Sequence, residues 1–583
     1  GNNYAGPLTY VNTNTLQSAS SASISNTEFW NYNLQNLLYY DKTFAQKHRV
    51  GFTGLFEVVK DHSLGSNFSV TGVPADYIGS SNFGLASGTP VADPTLQSFS
   101  EQGLVSYMGR VNYSYADKYL LTLTFRRDGS STLSPGRQYF NYPAVGLGWN
   151  LAEESFIKGI PAISSLKIRG GWGISGNRNV GPYATLGALS AGYYNFGLGT
   201  AGQQLAYTVT SLPATNLGWQ STSQLDIGVD FGLLSNRITG SVDYYHQQTK
   251  DILLSVPLPA SNGAGSTLKN LGRTEGKGLE LSLTVDAIRK PQGFNWSADV
   301  VFFFNREKIT QLTTPTEQAN IGAGWFVGQP LSVIYDYRKI GIWQTADKEN
   351  GTLARQTSPV QFPGQIRVED LNSDGKIDPS DRQILGNFQP RWEGGLTNRF
   401  SFKNFDLSIV TFARMGMKVL VPYLTGNAGG AGGYPFFNQG RVNQVKVDYW
   451  TETNPTNAFP APDAGNAVSY FGSTLGYYDG SFIKCRSINL GYAFTSQLIR
   501  KIGLNSARVY LNATNPFIIY SPLVRDNLAI DPEGNSYAGA VGGNGGTVAP
   551  QGAGDAGAPS RQIAVNMNNP PVRQFTLGVN LKF

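Results

Sequence analysis

RQFTLGVNLKF, residues 573–583, decides the fold. Phe575, Leu577, Val579, Leu581 and Phe583 fall on every second position, with Gln574, Thr576, Gly578, Asn580 and Lys582 between them. Side chains of a strand alternate between its two faces, so this strand has one apolar face and one polar face. A soluble sandwich would turn the apolar face to a core. Here the sequence stops on an aromatic residue, and the segment reads as the closing strand of a membrane barrel.

Composition agrees with that reading. Charged residues make up 14% of the 583 positions, well below the roughly 25% of soluble proteins, while aromatics make up 12% and glycines number 69. Such a profile suits a wall with lipid on one side and water on the other. The longest apolar runs, such as 300–304, fall far short of the roughly 18 residues a membrane helix needs. Strands carry a weaker hydropathy signal and cross a membrane without such runs.

A single cysteine, Cys485, excludes an internal disulfide framework and a thiolate metal cluster. His48, His62 and His246 are too scattered to suggest a metal or catalytic cluster. The net charge of +6 comes with no Lys/Arg block or groove-reading motif, so no nucleic-acid partner is expected. No signal-like apolar run opens the chain at Gly1. Because a barrel must be exported, the reading expects a processed or truncated chain.

Alternating segments recur at about 27–43, 48–61, 104–116, 118–130, 138–152, 164–175, 222–232, 237–252, 277–287, 294–312, 391–402, 405–415, 481–494, 505–519 and 573–583. In 104–116, Val105, Tyr107, Val111, Tyr113 and Tyr115 oppose Ser106, Arg110, Asn112 and Ser114. In 118–130, Tyr119, Leu121, Leu123 and Phe125 oppose Thr122, Thr124 and Arg126, and Ala116, Asp117 and Lys118 make the join a tight hairpin. The stretches 62–103, 176–221, 253–276, 313–390, 416–480 and 520–572 are long connections, with a shorter one at 131–137. Counted back from Phe583, tight turns fall on one side of the sheet and long loops on the other.

Outer-membrane barrels have short periplasmic turns and long extracellular loops. The fold class is therefore all-β: a transmembrane antiparallel β-barrel with its long loops outside and its C-terminus at the periplasmic rim. Fifteen strands is an odd number where single-chain bacterial barrels have an even one, so the closing partner is expected upstream. Residues 1–26, rich in Ser, Asn and Thr, read as part of an external loop leading into the first strand.

Within 313–390, residues 370–381 carry the spacing of a calcium loop. Asp370, Asn372, Asp374, Asp378 and Asp381 stand at loop positions 1, 3, 5, 9 and 12, Gly375 at position 6 permits the sharp turn, and Lys376 at position 7 offers its carbonyl. The flanks 365–368 and 382–385 do not read as the helices of a calcium sensor. A structural Ca²⁺ pinning a long loop is expected, with Asp381 in place of the usual bidentate Glu; an Asx-rich turn without metal would share the spacing.

Loop aromatics form a second constellation: Tyr193, Tyr194 and Phe196; Trp325 and Phe326; Tyr434, Phe436 and Phe437; Tyr477 and Tyr478. Sugar rings stack on such faces and peptides bury apolar side chains among them; aromatics also pack loops together or form a membrane girdle. Of these, Tyr193, Tyr194, Trp325, Tyr434, Phe436 and Phe437 are the candidates for substrate contact. No convergent catalytic set is visible. Glu153 and Glu154 read as solvated, and the glycine run 542–546 lacks the Lys-Ser/Thr of a phosphate loop.

Several segments taken together resemble the SusC/RagA-type TonB-dependent transporters of the Bacteroidota outer membrane. They are RVNYSYADKYLLT from Arg110 into RRDGSS at 126–131; Tyr142-Pro143 through Leu147-Gly148-Trp149; and Glu153-Glu154 with Phe156. Further along come GNRNVGPY from Gly176 to Tyr183, Asn216 to Trp219, the 370–381 loop running on to Arg382 and Gly386-Asn387, Trp450 to Pro455, Asp479 to Phe482, and the terminal Phe583. Gln220 departs from the pattern, standing where the family usually has a carboxylate.

The resemblance implies that residues 1–583 are the C-terminal portion of a barrel of about 22 strands, with the N-terminal plug and first strands absent. It also implies import of an oligosaccharide or peptide, a SusD-like surface lipoprotein as partner, and coupling to TonB through the N-terminal region. Outer-membrane lipid surrounds such a wall. Phe575, Leu577, Val579, Leu581 and Phe583 would be read by the barrel-assembly machinery. A structural or assembly component without transport of its own is the competing reading, and an enzyme is not expected.

Overall fold

The computed structural model describes residues 2–5, 10–12, 15–16 and 20–582, apart from 75–76, 93–96, 179, 198–202, 291–292, 322–323, 426–446, 462–470, 495–502, 535, 538–562 and 566–570. Fifteen long strands run in sequence. They are β1 (Ser21–Phe44), β2 (His48–Thr71), β3 (Ser98–Tyr115), β4 (Tyr119–Ser130), β5 (Tyr139–Asn150), β6 (Ile163–Asn177), β7 (Gln220–Leu233) and β8 (Ile238–Lys250). There follow β9 (Arg273–Ile288), β10 (Phe294–Gln311), β11 (Trp392–Phe402), β12 (Phe405–Met415), β13 (Phe482–Ala493), β14 (Ser506–Tyr520) and β15 (Gln574–Lys582). Among the described residues no helix is long and apolar enough to cross a membrane.

The chain divides into two compact units. The first comprises Gly1–Gly148, Gly171–Gln224 and Thr249–Arg273; the second comprises Trp149–Gly170, Leu225–Gln248 and Thr274–Phe583. In the first unit, β1 to β5 and the end of β6 neighbour one another in chain order. In the second, the start of β6 and then β7 to β15 do the same. The pairs from β1 to β4 and from β10 to β15 are antiparallel. Each strand thus joins the one before it, the simplest antiparallel topology.

Tight turns are possible where residues accept a left-handed backbone. Ala45 and Gln46 have φ of 47° and 55°, and Ala116 and Asp117 have 52° and 56°. Two positive-φ residues in a two-residue loop are the primed turn whose twist matches its flanking strands. Both loops close by the matching hydrogen bond, from Lys47 N to Phe44 O at 3.2 Å and from Lys118 N to Tyr115 O at 3.0 Å.

The strands are inside-out relative to a soluble sheet. In β15, Phe575 is 68%, Leu577 73% and Val579 57% exposed, with Thr576 and Gly578 between them more covered. In β4, Tyr119, Leu123 and Phe125 are exposed. On its other face, the Thr122 hydroxyl donates to Asn112 Oδ1 at 3.0 Å, and Thr124 accepts from Arg110 at 3.1 Å. The sheet is apolar where it is bare and hydrogen-bonded where it is polar, which is the sidedness of a barrel strand.

The first connection is shorter than the pattern suggests. The alternation fades after residue 61, yet β2 continues to Thr71, β3 begins at Ser98 and β1 begins at Ser21. Ser21 faces Thr71 and Phe29 faces Ser63 in an unbroken register. Backbone ladders do not require apolar side chains, so these strands run on beyond the roughly 9–11 residues that cross a bilayer. Residues 2–5 also pair with Ser21–Ile24, so part of the 1–26 segment is sheet rather than loop.

Buried cores lie in the connections. In the second unit one core gathers Ile342, Ile366, Val368 and Ile377 from 313–390, Val419, Val421, Leu424, Trp450 and Phe459 from 416–480, and Leu523 and Val565 from 520–572. Burying each such aliphatic side chain contributes about 1.5–3 kcal/mol. The described parts of these three connections therefore share one core.

Candidate functional site

In the first unit, the motifs around β4 to β7 converge on one packed cluster. Leu133, Tyr142, Val180, Ala214, Leu217 and Trp219 are buried together. The Tyr142 and Trp219 rings meet edge to face, 5.9 Å between centroids, and the Trp219 indole N–H donates to Gln138 O at 2.8 Å. Ser134 ties the strand ends to the 176–221 connection, donating to Ala214 O and accepting from Leu217 N, both at 2.8 Å. Arg178 donates to Ser130 Oγ at 3.2 Å. These residues anchor a loop; none is free to meet a ligand.

The polar face of each unit carries charges in compensated sets. In the first unit, Arg126 reaches Glu57 at 3.2 Å, Asp128 at 2.7 Å and Ser106 at 2.9 Å. In the second, Arg169 bridges Asp230 at 3.2 Å and Asp243 at 2.6 Å, Glu275 meets Lys308 at 3.3 Å, and Arg508 meets Asp406 at 2.6 Å. Paired charges at partly exposed positions keep a surface wet without leaving it strongly of one sign.

The 370–381 loop lies between short strands Ile366–Val368 and Gln383–Asn387, not between helices. Asp370 accepts from Asp374 N at 3.3 Å and from Gly375 N at 2.8 Å; Asp374 accepts from Lys376 N at 2.8 Å. Gly375 has φ +76°, and a Cβ there would fall 2.6 Å from Arg355 O. Asp381 is fully buried and accepts from Leu371 N at 2.8 Å and Asp378 N at 2.9 Å. Asp378 caps the short turn after it, and its bond from Ser380 holds its carboxyl below the ordinary value of 3.8.

The backbone of 374–375 wraps around the Asp370 carboxylate. Among the described residues, however, no three His, Cys, Asp or Glu side chains converge as a metal set. The donor set of Asp370, Asn372, Asp374, Asp378 and Asp381, with the Lys376 carbonyl, is chemically suited to a hard cation. The hydrogen bonds drawn above are equally those of an Asx-rich turn.

The aromatic candidates are dispersed. Tyr194 is exposed, and its ring meets that of Phe196 at a tilt, 4.9 Å between centroids. Trp325 and Phe326 form a short strand against Ala319–Asn320, and Phe326 lies 4.8 Å from the Tyr335 ring. Tyr477 donates to Asp336 at 3.0 Å, and burial with that carboxylate beside it pushes its phenol well up. Tyr478 packs against the loop core. The side chain of Tyr193, and Tyr434, Phe436, Phe437 and Phe583 entirely, lie outside the described residues.

Sequence reading missed a buried ionic cluster. A bulge sets Arg486 between Cys485, which faces Thr411, and Ser487, which faces Val410. Next to it Lys484 is 1% exposed, its ammonium 2.7 Å from Asp531 and 3.3 Å from Glu533, while Arg486 takes Glu533 at 2.5 Å. A lysine inside a strand pattern is the local signal, but its partners are 47 and 49 residues away. A second lysine, Lys339, is half-buried, donates to Ala458 O and faces the Phe459 ring at 6.0 Å. Burial pushes it down to about 8.

Comparison with known proteins places this architecture. The family described as "TonB dependent receptor-like, beta-barrel" matches residues 1–398. TonB-dependent receptor P3 of Formosa agariphila is 30% identical over 562 residues, 94% of this chain and 52% of that protein. TonB-dependent receptor SusC of Bacteroides thetaiotaomicron is 31% identical over 436 residues, 71% of this chain and 40% of that protein. The solved RagAB peptide transporter superposes over 100% of this chain and 58% of its own, with a TM-score of 0.75 and 19% identity, a likeness of fold. The chain spans about half the length of the curated relatives it matches. These 583 residues belong to the TonB-dependent receptor-like β-barrel family, as relatives of SusC.

Proposed function

We propose that this chain is the wall and external loop body of an outer-membrane importer of the SusC/RagA type. It takes up oligosaccharides or peptides together with a SusD-like surface lipoprotein. The observation that carries this reading is the two-sidedness of the strands: exposed apolar residues on one face, compensated charges on the other. The long connections lie outside the cell and the C-terminus lies at the periplasm. The loop core built from 313–390, 416–480 and 520–572 gives the extracellular side a preformed body on which a lipoprotein docks. Coupling to TonB belongs to the part of such a protein beyond this chain. The closing strand, with Phe575, Leu577, Val579, Leu581 and Phe583, serves as the signal for the barrel-assembly machinery.

Residues 370–381 act in this proposal as a structural Ca²⁺ loop. The ligands are Asp370, Asn372, Asp374, Asp378 and Asp381, with the Lys376 carbonyl. A cation there would offset the cost of burying Asp381 with only backbone N–H partners.

Deletion of the gene, with growth measured on panels of glycans and of peptides, tests import. Loss of growth on one class, restored by the wild-type gene, is expected. Unchanged uptake of every member of both panels would overturn the proposal and favour a scaffold.

A further inference from the structure

On the apolar face of β4 the side chains run Tyr119, Leu121, Leu123, Phe125 and then Arg127. The apolar stripe ends in a cation. Tyr107 on β3 stands opposite Arg127 in the register. Tyr139, which opens β5, lays its ring across Gly129; a Cβ at Gly129 would fall 2.4 Å from the Tyr139 ring. The Arg127 guanidinium stands over that ring, 5.0 Å from its centroid. Tyr107 and Tyr139 are exposed, and so is Arg127.

No carboxylate answers Arg127 among the described residues. The acids nearest in register, Glu57 and Asp128, belong to the other face, where Arg126 holds both. The next basic residue on the same face, Lys60, is tied to Glu101 at 3.1 Å. Among the described residues of this face, Arg127 faces outward with an aromatic ring beneath it and no carboxylate partner; Lys42 does the same over Phe44, but at the opposite, tight-turn end of the strands.

The position suits a headgroup. From Tyr119, next to the tight turn, to Arg127 is eight residues; at about 3.3 Å each and a tilt of about 40°, that is a rise of roughly 20 Å. An outer-membrane apolar band is about 25 Å tall and is flanked by aromatic girdles. Arg127 thus stands at the upper rim of the band, in the layer of the Tyr107 and Tyr139 rings. An uncompensated guanidinium there is costly to desolvate, and its planar fork matches the oxygens of a phosphate. The ring fixes one guanidinium face and leaves the N–H edges open.

We propose that Arg127, held on Tyr139 over Gly129 and beside Tyr107, binds the phosphate of an outer-leaflet glycolipid. The proposal rests on the outward placement of the long loops. It gives the wall a fixed lipid contact next to the loop anchored by the Trp219 cluster.

The full-length protein is reconstituted in phosphatidylethanolamine nanodiscs doped with a monophosphorylated or a dephosphorylated glucosamine-disaccharide lipid, and bound lipid is counted by native mass spectrometry. Wild type should retain the phosphorylated lipid about tenfold better than the dephosphorylated one. R127Q should lose that preference, and R127K should keep only part of it. Millimolar inorganic phosphate should not compete; equal competition would mean a simple anion site and overturn the lipid assignment. A wild type without preference, or an R127Q that keeps it, would also overturn it. Heat-modifiable migration on gels checks assembly. Should R127Q not assemble, Y139L removes the platform, keeps the charge, and should lower the preference several-fold; no change would count against the site. A failure to enter nanodiscs at all would strike the membrane reading instead.

Discussion

The Lys484 ammonium lies 2.7 Å from the Asp531 carboxylate, both groups buried, joining strand β13 to the connection that follows β14. Taking one partner away leaves a charge buried without compensation. Asp531→Ala should lower the stability of the loop body by about 3–5 kcal/mol, read as earlier thermal unfolding and faster proteolysis within 520–572. The double change Lys484→Met with Asp531→Leu should recover most of that loss. Equal losses in the single and double variants would show that the pair is not what holds the connection.

Trp219 is the keystone of the first-unit cluster, packed on Tyr142 and bonded to Gln138. Trp219→Ala should cost about 3–5 kcal/mol locally and open 176–221 to protease while the strands stay assembled. Protease resistance equal to wild type would contradict the anchoring role.

Added Ca²⁺ should protect 370–381 from hydrogen exchange and proteolysis, and chelator should remove the protection. Asp370→Ala should abolish both the protection and the heat of binding in calorimetry. Identical protection with Ca²⁺ and with chelator would leave the segment an Asx-rich turn.

Lys339 offers a pH test with a definite sign. Its ordinary value is 10.5, and burial lowers it to about 8 in the folded loop body. A depressed folded value disfavours the charged form, so its contribution is fully present above about 10.5 and is lost as pH falls through about 8. Thermal stability of the loop body should therefore gain from this group between pH 8 and 10.5, and Lys339→Met should flatten that part of the profile. An unchanged slope in the variant would rule Lys339 out as its source.

The strands were legible because their two environments are written residue by residue. Alternation such as Leu121, Leu123 and Phe125 against Thr122 and Thr124 needs no distant partner to be recognised. The upper parts of β1 and β2 were not legible, since above the apolar band a pair such as Ser25 and Asn67 is held by a ladder and a 2.7 Å side-chain bond, neither of which leaves a periodic trace. The turn at 370–381 is local, and its Asx-rich spacing could be read directly. The loop core could not: Trp450 donates to Gln344 across 106 residues, and such contacts have no sequence signature. The same distance hid the partners of Lys484.

The central claim is that one face of these strands meets lipid and the other meets water. In a cysteine-free background of the full-length protein, which includes Cys485→Ser, single cysteines are placed at Leu121, Thr122, Leu123, Thr124 and Phe125 and tested in reconstituted membranes. Cysteines at 122 and 124 should react with a membrane-impermeant maleimide. Bimane labels at 121, 123 and 125 should instead be quenched by brominated lipid. Uniform reactivity along the five positions, or the opposite phase, would contradict the account.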